Sequence, residues 1–149
     1  GAEVAGGMLT LRHPGRARSL TLISNNVSRD TIRRETNFWD AERQRREEGL
    51  WWHFLLKVHR LPPERMLGWW AAEDAVRPDL GPDELRALTM PALVMGGDRD
   101  PIVPLEETLN LYRWLPNAQL CVIPGAGHGI HRHRMAMFLD AVLLFLRNA

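Results

Sequence analysis

Two short segments of this chain hold the residue types that proton-transfer chemistry needs. Asp98-Arg99-Asp100-Pro101-Ile102-Val103-Pro104 carries two carboxylates, and Gly125-Ala126-Gly127-His128-Gly129 carries an imidazole set among glycines. A carboxylate bonded to an imidazole fixes its tautomer and stabilises the imidazolium formed when the ring takes a proton. Such a pair acts as the general base for a hydroxyl nucleophile. The glycines allow a tightly turned, exposed backbone at His128. The prolines at 101 and 104 stiffen the acid loop and favour an extended backbone at Asp100. Asp100 is therefore the expected acid. Asp98 is its rival, but it sits closer to the preceding apolar run and precedes no proline, so it is expected to be a solvated turn residue.

The other reactive groups are weaker candidates. Ser24 and Ser28 lie near the end of an apolar run, and neither has a glycine on each side. They are expected to be ordinary strand-end hydroxyls. Cys121 lies inside Leu120-Cys121-Val122-Ile123 and is expected to be a buried structural thiol. As the one cysteine of the chain, it allows no intrachain disulfide and fits a reducing, cytoplasmic setting. His128, His131 and His133 suggest a metal site. No cysteine or second histidine pair accompanies them, and a zinc site needs three or four ligands with supporting partners. No metal and no organic cofactor are expected.

The elements that must position the two loops follow from periodicity. Pro91–Gly97 and Gln119–Ile123 are compact apolar runs closed by glycine or proline, and they predict buried strands. Functional groups of open parallel sheets collect at the carboxyl ends of the strands. Neighbouring strands lie about 5 Å apart, which would bring Asp100 and His128 into hydrogen-bonding reach. Ser19–Ser24 predicts an earlier strand, and residues 3–12 predict the end of a helix closed by His13-Pro14-Gly15. Residues 105–115 predict a helix with Leu105, Leu109, Tyr112 and Leu115 on its buried face and Glu106 and Glu107 in its first turn. Met135, Phe138, Leu139, Val142, Phe145 and Leu146 form the apolar stripe of a last helix. Residues 29–80 differ in character. Charged helical stretches surround Trp39, Trp51, Trp52, Trp69 and Trp70, broken at Leu61-Pro62-Pro63 and joined onward by the Pro78–Pro82 linker. About three short helices are expected there. Strands alternating with helices imply an α/β fold with a parallel sheet and right-handed crossovers.

Composition narrows the partners. At 149 residues the chain is expected to form one domain. A net charge of +1 gives no electrostatic basis for binding nucleic acid or an anionic membrane. The basic cluster Arg43, Arg45 and Arg46 is interleaved with Glu42, Glu47 and Glu48, as on a solvated helix face. No run is long enough to span a membrane as a helix.

In order and spacing these segments resemble the α/β-hydrolase superfamily. Gly97-Asp98-Arg99-Asp100-Pro101-Ile102-Val103-Pro104 resembles its acid loop, whose second aspartate is the triad acid. Gly125-Ala126-Gly127-His128 resembles its histidine loop. Leu11 to Leu22 looks like the helix after the nucleophile elbow running into the next strand, and His128 to Phe138 and Phe145 fits the final helix. The resemblance implies the C-terminal part of a hydrolase sheet, with three parallel strands, flanking helices and a helical cap insertion. Residues 1–28 would start the core, 29–82 would form the cap, and 83–149 would complete the core. A second histidine three after the first, His131, is similar to the biphenyl-hydrolase-like group; enol-lactonase-like esterases are the other similar group.

Two departures accompany the resemblance. No G-x-S-x-G elbow occurs in the chain, so the implied serine belongs just before Gly1, together with the first half of the sheet. His131-Arg132-His133-Arg134 also stands where many relatives carry an acidic residue and a proline. The implied activity is hydrolysis of a small-molecule carboxylic ester, thioester or lactone, with Asp100 and His128 catalytic. Dehalogenases and epoxide hydrolases of the superfamily use an aspartate nucleophile, which leaves that residue open. Trp39, Trp51, Trp52, Trp69, Trp70 and Val103 would line an apolar pocket under the cap, or the tryptophans would only pack its helices. The alternative is a non-catalytic fragment or binding module. Its open sheet edge would then be covered by an N-terminal half or a second copy.

Overall fold

The computed structural model describes residues 10–13, 15–27, 53, 56–60, 62–76 and 79–149. Three strands, β1 (Leu20–Ile23), β2 (Ala92–Gly97) and β3 (Ala118–Ile123), form a parallel sheet in the order β1-β2-β3. Leu22, Val94 and Leu120 stand in one row across it, and Ile23, Met95 and Cys121 in the next. Successive rows point to opposite faces. β2 is buried at every residue, as a central strand covered on both faces must be.

Five helices lie wholly within the described residues: α1 (Pro63–Val76), α2 (Pro82–Arg86), α3 (Leu105–Trp114), α4 (Ile130–His133) and α5 (Met135–Asn148). On one face Leu85, Leu88, Leu111 and Leu115 pack with Leu22, Ala92 and Val94. On the other, Ile130 and Phe145 pack with Leu93, Met95 and Ile123, flanked by Phe138, Ala141 and Val142. The helices thus cover both faces of the sheet, as the alternating pattern requires. α1 lies between β1 and β2 in sequence and starts at Pro63, within the predicted break. Proline suits a first helical position because its missing N–H has no partner there in any case.

The buried face of α3 coincides only in part with the predicted one. Tyr112 is 41% exposed and Leu105 and Leu109 are half-buried, whereas Glu107, Thr108, Leu111 and Leu115 are buried. Hydrogen bonding and a close approach set this orientation. Glu107 Oε2 accepts the Val27 N–H at 2.9 Å, tying α3 to the chain leaving β1. Thr108 lies so close to Gly96 that a Cβ there would come within 2.6 Å of its hydroxyl oxygen. Polar groups are tolerated in the interior when their bonds are made. Glu107→Ala should therefore lower stability by about 1–3 kcal/mol, by leaving a buried N–H without this acceptor. Urea unfolding would show it, and an unchanged midpoint would mean the bond contributes nothing.

α5 is apolar over more than the surface it buries. Phe138, Val142 and Phe145 face the sheet as expected. Met135, Leu139 and Leu146 of the predicted stripe are instead 51%, 44% and 53% exposed, with Leu143 beside them at 49%.

Candidate active site

β2 and β3 pair in register to their last residues, Gly97 with Ile123, so the loops that follow start side by side. The loops then close on each other. The Arg99 N–H donates to the Ala126 carbonyl at 3.0 Å. Gly125, with φ of 64°, donates its N–H to Asp98 Oδ1 at 2.6 Å. Asp98 also lies 3.9 Å from the Arg99 guanidinium. Asp98 is the exposed turn residue expected, and it also clasps the acid loop to the histidine loop. A Cβ on Gly97 would fall 2.1 Å from the Ala126 carbonyl oxygen. Only glycine permits this approach.

The clasp sets the acid beside the imidazole. Asp100 Oδ1 accepts the N–H groups of Ile102 and Val103 at 2.8 and 2.9 Å, which folds the loop over its own carboxylate. Asp100 Oδ2 accepts the Nδ1–H of His128 at 3.0 Å. The acid side chain is 3% exposed and the imidazole 35%. A carboxylate removed from water in this way needs its oxygens bonded, and charge-assisted bonds of this kind are the strong ones. With Nδ1 held, Nε2 is the nitrogen left to exchange a proton with a third group. Among the described residues no hydroxyl bonds it. The hydroxyl of Ser24, one of the two strand-end serines, donates instead to the His128 backbone carbonyl at 2.8 Å.

The neighbouring histidines have other contacts. His133 Nδ1 accepts the Gly127 N–H at 3.1 Å. His131 meets Phe138 edge-on, with centroids 6.1 Å apart. Burial, then the charges of Arg132, His128 and His133, push the His131 pKa down, so its ring stays neutral to lower pH. No group of three His, Cys, Asp or Glu able to hold a metal ion occurs among the described residues. Burial pushes the Cys121 thiol up, away from the reactive thiolate.

Of the proposed pocket residues, Val103 is buried and gives Asp100 its backbone N–H. Trp69 is 57% exposed on α1, with the Arg65 guanidinium 5.9 Å from its ring centroid. Trp70 lies on the same helix. Trp39, Trp51, Trp52 and Ser28 lie outside the described residues. A cleft of about 400 Å³ bordered by Leu11, Gly15, Ala17, Leu88 and Met90 opens where the chain enters β1 and β2. That is the amino end of the strands, remote from Asp100 and His128. No helix among the described residues is long and apolar enough to cross a membrane.

A parallel sheet that brings a buried carboxylate and an imidazole together at its carboxyl end defines a class of α/β protein whose chemistry sits in strand-end loops. The family model of the alpha/beta hydrolase fold matches residues 34–132, and the chain belongs to that family. A 2-hydroxymuconate semialdehyde hydrolase of Pseudomonas putida is 40% identical over 66 residues, which is 44% of this chain and 24% of that protein. A non-heme haloperoxidase of Rhodococcus erythropolis is 45% identical over 49 residues, 32% of this chain and 18% of its own. Among solved structures, a meta-cleavage product hydrolase from Pseudomonas fluorescens superposes with a TM-score of 0.79 at 17% identity, over 98% of this chain and 61% of its own. A thermophilic esterase from Thermogutta terrifontis superposes at 0.69 with 26% identity, over the same shares, 98% and 61%. The chain therefore spans between a fifth and a quarter, roughly, of the curated relatives it matches and about three-fifths of the solved ones.

Proposed function

We propose that this chain carries the acid and the histidine of a serine-type α/β-hydrolase acting on a small carboxylic ester, thioester or lactone. The observation that carries the reading is the 3.0 Å bond from His128 Nδ1 to the buried carboxylate of Asp100. In the proposed reaction, His128 Nε2 takes the proton of a serine hydroxyl as that oxygen attacks the carbonyl carbon. The imidazolium then gives the proton to the leaving oxygen or sulfur, and a covalent acyl-enzyme remains. A water, deprotonated by the same nitrogen, releases the acid and restores the serine. Asp100 keeps the proton on Nδ1 throughout, so that Nε2 meets each group with its lone pair.

The serine is proposed to lie outside residues 1–149, since no G-x-S-x-G elbow occurs in them. The solved relatives support this, because this chain covers only 61% of the length of each of the two described above. The polypeptide supplying it would pair with the outer edge of β1, and a cytoplasmic setting fits the single cysteine. Residues 29–82 are proposed as a cap, with tryptophans over an apolar pocket.

Hydrolysis of 4-nitrophenyl butyrate tests the reading. The polypeptide encoded by the complete reading frame should release a burst of about one 4-nitrophenol per active site, whereas residues 1–149 alone should show no burst. A complete polypeptide inert towards ester, thioester and lactone probes would establish the non-catalytic reading instead. Turnover by residues 1–149 alone would show that the nucleophile lies within them.

A further inference from the structure

We infer that Ser24 is a positioning residue for His128, holding the backbone of the proton-carrying histidine while Asp100 holds its ring. The inference rests on the proposed role of the pair. Ser24 stands one residue beyond β1, where its N–H still donates to the Met95 carbonyl at 2.8 Å. Its φ is 51°, in the left-handed region. A non-glycine residue occupies that region at a cost, and keeps it where surrounding contacts demand it. The contact here is the hydroxyl, 7% exposed as a residue, donating to the His128 carbonyl at 2.8 Å. The left-handed turn brings the end of β1 to the histidine loop, across the sheet from β3, and the side chain spans the remaining gap.

The consequence for His128 is geometric. Its carbonyl accepts from the Ser24 hydroxyl and from the Ile130 N–H, at 2.8 and 3.1 Å. Its Nδ1 is bonded to Asp100 at 3.0 Å. A residue fixed at its carbonyl and at one ring nitrogen has little rotational freedom left at χ1 and χ2, and the position of Nε2 follows. Asp98 and Gly97 hold the start of the histidine loop, at Gly125 and Ala126. Ser24 alone of these holds His128 itself, from the end of β1.

The hydroxyl and the backbone geometry can be separated by mutation. Ser24→Ala removes the donor and keeps the strained φ. Ser24→Gly removes the donor and relieves the strain, so it should be the more stable of the two. The readout is the His128 Nδ1–H proton resonance and its exchange with water, measured on the 149-residue chain, where no nucleophile is needed. Both variants should raise the exchange rate on the order of three- to tenfold, the weight of one neutral hydrogen bond. In the complete polypeptide both should lower kcat with KM little changed. An unchanged exchange rate in both variants, or one restored by glycine along with stability, would overturn the inference and leave Ser24 a structural turn. Asp100→Asn is the control for the underlying reading. If it leaves the His128 resonance in place, the pair itself fails; if it removes the resonance while the Ser24 variants do not, only the role of Ser24 fails.

Discussion

Asp100→Asn in the complete polypeptide is expected to lower kcat by about ten-thousand-fold while the protein stays folded. The substitution keeps a carbonyl oxygen in place of Oδ1, so the Ile102 and Val103 N–H groups retain their acceptor at 2.8 and 2.9 Å. What changes is the atom facing His128. An amide nitrogen there presents hydrogens, so Nδ1 must turn acceptor and the ring proton moves to Nε2. A nitrogen that already carries a proton cannot take one from a nucleophile. The imidazolium would also lose its counter-charge 3.0 Å away. The effect should appear in kcat rather than KM, because the carboxylate is 3% exposed and is not placed to touch substrate. A loss below about tenfold would mean that Asp100 is not the triad acid.

Gly97→Ala should be the most damaging single-methyl addition in the described core. The new Cβ would lie 2.1 Å from the Ala126 oxygen, 2.6 Å from its carbonyl carbon and 2.8 Å from the Gly127 oxygen. All three are backbone atoms, so no side chain can swing away and the whole histidine loop must shift. A cost on the order of 3 kcal/mol follows, at the upper end for overpacking, and with it a fall of roughly 6–12 °C in Tm for a chain of this length. The Arg99 to Ala126 bond would be lost together with the Asp100 to His128 distance, so activity should fall with stability. Gly68→Ala is the matched control. That glycine is exposed within α1 and has nothing within 4 Å of the added carbon. Alanine there should be neutral or raise stability by about 0.5–1 kcal/mol through helix propensity. Thermal unfolding of both variants is the check, and equal shifts would show that the loop approach does not constrain the fold.

The contrast between these sites explains what the sequence could and could not disclose. The three strands, the central buried β2 and the two loops were legible because runs such as Ala92–Gly97 are short, apolar and ended by glycine. Parallel pairing then follows from the helices between them. Asp100 was separable from Asp98 by the prolines that shape its loop. The role of Asp98 was not legible, because its partner is a backbone N–H at Gly125, 27 residues away, and side-chain type carries no trace of that bond. Glu107 was hidden for the same reason. A buried glutamate contradicts hydropathy, and its bond to the Val27 N–H lies 80 residues earlier in the chain. Ser24 resembled any strand-end serine, since neither its φ of 51° nor its bond to His128 leaves a composition signal. α5 misled in the opposite direction, as its stripe is real but Met135, Leu139 and Leu146 extend beyond the face the sheet covers.

These exposed residues leave an apolar surface on α5. An apolar flank spanning Met135, Leu139, Leu143 and Leu146, each more than two-fifths exposed, is the kind of surface that soluble proteins cover with a partner. β1 has one strand beside it among the described residues, leaving its other edge to pair.

The decisive comparison is the burst assay run side by side on the complete polypeptide and its His128→Ala variant. About one equivalent of 4-nitrophenol should be released rapidly by the parent, and none above the buffer rate by the variant. A burst of equal size and rate in the His128→Ala polypeptide would rule out the proposed role of the pair, because the nucleophile would then be activated by something other than Asp100 and His128.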